Sequence, residues 1–142
     1  MTYRLDRRFV LRAIGLNLIV AGVSAALAFL LSFVGALAWV FGVLAVMAVL
    51  NALRVLGMPP VVARTDANEV RVGGFLTVRP VHVAWSSVED ATTDGGRLFF
   101  DRVDGEVLAF PLAYVGGRAD ELVVDVYHRL NTANGYQRFD PS

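Results

Sequence analysis

His82 and His128 are the only imidazoles in the 142-residue chain, and 46 positions separate them. A histidine metal site needs further ligands at short spacing or a cysteine in support, so each reads as a surface or rim side chain. Ser86 and Ser87 follow Trp85 without the flanking glycines of a nucleophile elbow. Glu89, Asp90 and Asp94 make an acidic patch that lacks the ligand spacing of a calcium loop, and a solvated loop is the simpler reading. The chain has no Cys, so disulfides, thiol nucleophiles and Cys-ligated metals are excluded. Gly73-Gly74, Gly95-Gly96 and Gly116-Gly117 are turn glycines, belonging to no phosphate loop and no G-x-G-x-x-G pattern. No nucleophile, base and oxyanion donor converge in sequence. We therefore expect no catalytic residue, no cofactor-binding residue, no metal ligand and no enzyme.

All 13 basic residues are Arg, which we read as genome composition. Their distribution is informative. Residues 1–60 carry five Arg and one acid, a charge of +4, whereas residues 61–142 carry eight Arg and twelve acids, a charge of −4. The acidic half would be repelled by nucleic acid and by an anionic membrane leaflet, and the basic segment drawn to that leaflet. Arg64, Arg71 and Arg79 could form one basic face. That makes lipid-headgroup recognition a minor expectation, because solvated sheet edges carry such arginines routinely.

The elements that must position these residues are dominated by Ala13–Leu53, which contains no charged side chain and lies between Arg12 and Arg54. One bilayer crossing needs roughly 20 apolar residues, and this stretch is about twice that. The expectation is a transmembrane helical hairpin over residues 10–57, with helices near 10–31 and 36–56 and a tight turn at Ser32–Gly35. Phe33 and Trp39 would anchor at the interface. Arg4, Arg7, Arg8 and Arg12 precede the first helix, Arg54 and Arg64 follow the second, and the turn has no cation. The positive-inside bias then puts both termini on the cytoplasmic side of the inner membrane. A cleavable signal peptide ending near Ala26-Leu27-Ala28 is the rival, disfavoured because apolar sequence runs straight past it. Residues 1–9 read as a basic arm that serves as an orientation signal or lies along the headgroups.

Within the spans, Gly22 with Ala26 and Ala21 with Ala25 have small-xxx-small spacing, and Ala38, Gly42, Ala45, Ala48 and Ala52 line the second helix. These faces pack the hairpin against itself or, in the sharper reading, drive oligomer formation. Asn17 and Asn51 would hydrogen-bond across the hairpin. No ionisable group sits mid-membrane, which argues against a transporter built from this chain alone.

Gly57-Met58-Pro59-Pro60 ends the second helix with a short, stiff linker. From Val61 the hydrophobic period changes to two. Strands are expected over Val61–Thr65, Glu69–Val72 with a continuation through Leu76 and Val78, Val81–Trp85 with His82 facing out, Val88–Thr93, Arg97–Val103 and Glu106–Val115. Turns fall at Asp66–Asn68, Asp94–Gly96 and Asp104-Gly105. A closing helix begins after Gly117, with Asp120 and Glu121 in its first turn. Its apolar stripe is Leu122, Val123, Val126, Tyr127 and Leu130, and Asp125 and Arg129 form an exposed i,i+4 pair. The tail 134–142 is loose, with Tyr136 and Phe139 available to tuck in. The domain at 61–133 is thus a small α+β unit, an antiparallel barrel or bent sheet closed by an amphipathic helix.

The hairpin with Pro59-Pro60, then Val70-Arg71-Val72-Gly73-Gly74, the Trp-centred Val83-Ala84-Trp85-Ser86-Ser87-Val88-Glu89-Asp90, and Gly117-Arg118-Ala119-Asp120-Glu121-Leu122 resemble bacterial two-helix membrane proteins with a C-terminal pleckstrin-homology-like (PH-like) domain. The resemblance spans nearly the whole chain. It implies a PH-like fold and no assigned activity. It does not imply inositol-phosphate binding, because neither Asp66-Ala67-Asn68 nor Gly73-Gly74-Phe75 supplies a basic loop. The expected function is a membrane-anchored, non-catalytic interaction or scaffold module. Its partners would be the lipid bilayer and a protein or a second copy of the chain. A subunit of an oligomeric pore or transporter is the alternative.

Overall fold

The computed structural model describes residues 1–73 and 79–135. Contacts divide the chain into two compact units: Met1–Asp6 together with the chain from Val61 onward, and Arg7–Pro60.

The second unit is a pair of helices, α1 (Arg7–Leu30) and α2 (Gly35–Gly57). The break falls at 31–34, within one residue of the expected turn. Here Val34 N–H donates to Leu31 O at 2.8 Å, a tight reversal. Each helix is 24 or 23 residues long, about 35 Å at 1.5 Å per residue. Both are long and apolar enough to cross a membrane, and only 17% and 11% of residues in their most apolar stretches are buried. Phe29, Phe33 and Trp39 expose 80%, 81% and 77% of their surface, unlike the helices of a packed core. The buried positions are mostly small: Ala13, Ala21 and Ser24 on α1, and Ala48 and Ala52 on α2. Small side chains let the two helix backbones approach closely. Asn51 Nδ2 donates to Asn17 Oδ1 at 3.1 Å, and Asn17 Nδ2 donates to Ala13 O at 2.8 Å. The expected bond across the hairpin is therefore present.

The first unit holds two antiparallel sheets and a helix. One sheet runs β1 (Thr2–Arg4), β2 (Val61–Thr65), β3 (Glu69–Val72), β4 (Val81–Ala84), and the other β5 (Val88–Thr93), β6 (Arg97–Arg102), β7 (Val107–Pro111). They are separate sheets, so of the two expected arrangements, barrel or bent sheet, closure into a barrel does not occur. The helix α3 spans Ala119–Ala133. Alternation places Tyr3, Ala63, Thr65, Val70, Val72 and Val83 inward on the first sheet, and Ala91, Leu98, Phe100 and Phe110 inward on the second. Leu122, Val126 and Leu130 of α3 complete this core. Trp85, 1% exposed, opens a 3-10 turn (Trp85–Ser87) between the sheets and donates Nε1–H to Asp66 O at 2.9 Å.

The N-terminal arm differs most from expectation. Residues 2–4 form a strand that pairs with β2 in the register Thr2↔Arg64, Tyr3↔Ala63, Arg4↔Val61. Thr65 N–H extends the ladder to Met1 O at 2.9 Å, and Asp6 N–H donates to Tyr114 O at 2.7 Å. The reason is burial: Tyr3 and Leu5 are 0% and 4% exposed, a gain in core surface that an extended arm on headgroups would forgo. The last strand is also shorter than expected. It stops at Pro111, which lacks an N–H, and Leu112–Tyr114 and Gly116–Arg118 are 3-10 turns. The continuation through Leu76 and Val78, the Gly74-Phe75 loop, and the tail with Tyr136 and Phe139 lie outside the described residues.

Candidate functional site

Two polar constellations stand out. The first lies on the outer face of the first sheet. Register aligns Thr2, Arg64, Arg71 and His82 across its four strands. Like charges directly opposite on neighbouring strands repel, and carboxylates offset that repulsion here. Arg71 Nε is 2.5 Å from Glu69 Oε1, His82 Nδ1 is 3.5 Å from the same oxygen, and Arg64 Nε is 3.4 Å from Asp66 Oδ1. The Arg71 hydrogen bond, opposed by desolvation and aided by the Arg71 and His82 charges, holds the Glu69 carboxyl below its usual range. His82 is half exposed, as its outward strand position predicts. Arg64 and Arg71 are cross-strand neighbours, and Arg79 lies just before β4.

The second constellation ties β1, β2 and α3 together. Thr65, fully buried on β2, donates its hydroxyl to Asp125 Oδ2, and Arg129 Nε reaches Asp125 Oδ1 at 2.9 Å. The Asp125 and Arg129 side chains are only 13% and 25% exposed. This corrects the expected surface pair: it is a half-buried network, because Asp125 lies on the flank of α3 that faces Thr65. Nearby, the Arg118 guanidinium lies 4.8 Å from the centroid of the Tyr3 ring. Arg118 also grips both Glu121 carboxylate oxygens, at 2.7 and 2.8 Å, and donates to Thr2 O at 3.3 Å. The bidentate pair lowers the Glu121 pKa and raises that of Arg118.

Burial, with the Asp125 and Glu121 charges adding to it, pushes the Tyr3 phenol up from 10.0 to about 12. A raised pKa means that the neutral form is stabilised by folding. That contribution is fully present below pH 10 and is lost as pH rises through about 12. We expect the unfolding midpoint of the sheet domain to fall between those limits, and Tyr3→Phe to flatten the fall. A denaturant titration at stepped alkaline pH reads both.

The other residues singled out in sequence do not converge. Ser87 Oγ donates to Ala84 O at 2.8 Å within its turn. Asp94 caps the β5–β6 hairpin, accepting from Arg97 N at 2.7 Å and Gly96 N at 2.8 Å, and those N–H groups lower its pKa. His128 sits on α3, on a different element from His82. No group of three or more His, Cys, Asp or Glu among the described residues could hold a metal. What the arrangement does chemically is bind strand to helix. Sequence reasoning missed Tyr3, Thr65 and Arg118. The signal for Tyr3 was the alternation of Tyr3 and Leu5 with Thr2, Arg4 and Asp6. Comparison with protein-family models, curated proteins and solved structures finds no match.

Proposed function

We propose that the chain is a membrane-anchored, non-catalytic interaction module. Its hairpin crosses the cytoplasmic membrane twice, both termini lie on the cytoplasmic side, and a PH-like domain presents a surface to a protein partner. The observation that carries this reading is the pairing of β1 with β2. The strand before α1 and the strand after α2 belong to one sheet. A single crossing would place Tyr3 and Ala63 on opposite sides of the bilayer and break that pairing. Two crossings keep them together, and lipid covers the exposed apolar surface of both helices. Arg4, Arg7, Arg8 and Arg12 before α1, Arg54 at the end of α2 and the uncharged turn favour the cytoplasmic side for the sheets.

A four-stranded and a three-stranded antiparallel sheet followed by an amphipathic helix support the PH-like reading. The non-catalytic reading is supported by where the polar groups go. Asp125, Arg129, Arg118, Glu121 and Asp94 hold the fold together rather than facing a common point. A second reading, association of hairpins into a larger assembly, is favoured by Gly22, Ala25 and Ala26, which stay exposed on α1.

The chain has no Cys, so single cysteines report sidedness directly. In sealed vesicles of known orientation, Thr2→Cys and Asp94→Cys should react with an impermeant maleimide from the cytoplasmic face, and Phe33→Cys from the other. Labelling of positions 33 and 94 from one face would overturn the double crossing. The mass and content of the complex extracted in native nanodiscs would separate a partner-bound module from a homo-oligomer.

A further inference from the structure

Among the described residues the second sheet ends in β7, which pairs only with β6. The direction of its main-chain groups follows from the bonds at its two ends. Arg102 N–H donates to Glu106 O at 2.9 Å, and Leu112 N–H donates to Gly96 O at 3.0 Å. In an antiparallel ladder, alternate residues face the partner strand. Glu106, Leu108, Phe110 and Leu112 therefore face β6. The N–H and C=O groups of Val107 and Ala109, with the C=O of Pro111, point out of the sheet edge. Val107 is 60% exposed.

Native edges are normally guarded by charge, a bulge, shortness or a cover. The other three edges have such guards. Arg118 occupies the Thr2 carbonyl of β1. β4 has only four residues and follows Pro80 directly. β5 has a register shift between Val88 and Asp90 and packs against α3. β7 carries no charged residue and no register shift, and Pro111 blocks only its end.

Beside this edge lies an electrostatic cost. On the outer face, Val107 is opposite Asp101, and Asp101 is opposite Asp90. Among the described residues neither carboxylate forms an ion pair, since the adjacent Arg102 is engaged by Asp104 and Glu106. Two like charges in direct cross-strand register destabilise a sheet. A cation arriving from outside would remove that penalty. On the opposite face, half-buried Leu108 is beside Phe100, which pairs with Ala91.

We propose that the β7 edge is the docking site for an extended segment of a partner protein that alternates basic and apolar residues. Its main chain adds a strand to β7 through Val107 and Ala109. Its Arg or Lys side chains lie on the outer face and reach past Val107 toward Asp101, and its apolar side chains turn to the opposite face beside Leu108. This assigns a surface and a partner chemistry to the interaction module, and it rests on that reading.

The test uses the full chain in nanodiscs of zwitterionic phosphatidylcholine, which removes lipid attraction for basic probes. The probe is a fluorescein-labelled, end-blocked seven-residue peptide alternating Arg and Val, and anisotropy reads its binding. A Glu–Val peptide of the same length should bind more weakly by about tenfold or more. Asp90→Asn with Asp101→Asn should erase that difference while leaving the sheet folded, because the change relieves repulsion. Ala109→Pro should abolish binding of the Arg–Val peptide; proline is tolerated where an edge N–H faces solvent. Equal binding of the two peptides, or unchanged binding by Ala109→Pro, overturns the proposal. So does a dimer of the free protein that Ala109→Pro dissociates, which would give the edge to a second copy. A photocrosslinking residue at Val107 and another at Val124 on α3 separate the two levels of the reading. A protein captured only from position 124 removes the β7 site and spares the module, and capture from neither removes the module itself.

Discussion

Tyr3→Ala should unfold the sheet domain or cost it about 3–5 kcal/mol, the range for removing a large aromatic from a core. The residue lies on a strand of only three residues, where substitutions are ordinarily mild. Here it is different, because the ring is 0% exposed and supports three elements at once. It pairs with Ala63 on β2, lies under the Arg118 guanidinium, and sits at the base of α3 near the Glu121 carbonyl. Its loss would leave a cavity under Arg118 and free that side chain from the Thr2 carbonyl. Tyr3→Phe keeps the ring and loses only long contacts from the hydroxyl, at 3.4 and 3.5 Å, so it should cost less than about 1 kcal/mol. The unfolding midpoint followed by Trp85 fluorescence, on full chains in nanodiscs, compares the two. A Tyr3→Ala midpoint equal to that of the wild type would mean that β1 contributes nothing to the domain.

Gly116→Ala should be the other severe change. Gly116 has φ +55°, in the left-handed region, and a Cβ there would stand 2.6 Å from Asp6 Cγ. The left-handed conformation alone costs a non-glycine residue about 1–2 kcal/mol. The collision adds to that, because the Asp6 backbone is fixed by its 2.7 Å bond to Tyr114 O and only a short side chain can move. We expect about 2–4 kcal/mol in total for the single variant. In the double variant Asp6→Ala with Gly116→Ala, the carboxyl collision is gone, and the conformational part remains with a tight 3.1 Å contact to the Cβ of residue 6. Additive losses in that cycle would show that the segment Leu5–Asp6 does not pack over Gly116.

The parts of this molecule that were legible in sequence are those in which one physical signal repeats. The hairpin follows from 41 consecutive residues without charge, Ala13–Leu53, and the turn from its few polar and small residues. The strands of residues 61–111 follow from alternation, and α3 from the spacing of Leu122, Val126 and Leu130. β1 was hidden because a strand of three residues offers a single alternation, and its flanking arginines carry the signature of a membrane-orienting arm. Asp125 and Arg129 looked like a solvent pair because i,i+4 spacing fixes which residues meet and says nothing of burial. Only the packing of α3 beside Thr65 decides that. Barrel closure was beyond sequence for a similar reason, since it depends on whether the two sheets bond along their edges, which no local pattern encodes. The row of Asp90, Asp101 and Val107 needed the strand register, which a shift between Val88 and Asp90 displaces by one residue.

The position of β1 also sets an order of events during synthesis. Tyr3 is made 60 residues before Ala63, the residue it faces in the sheet. At about 5–20 residues per second, the ribosome separates them by roughly 3–12 s. Throughout that interval the first strand has no partner, while both apolar helices emerge between it and its place in the fold. The first sheet cannot be completed by β1 until both helices have been made. The same order makes a gene fragment beginning at Val61 an incomplete domain: it would expose the β2 edge and leave the Tyr3 socket empty.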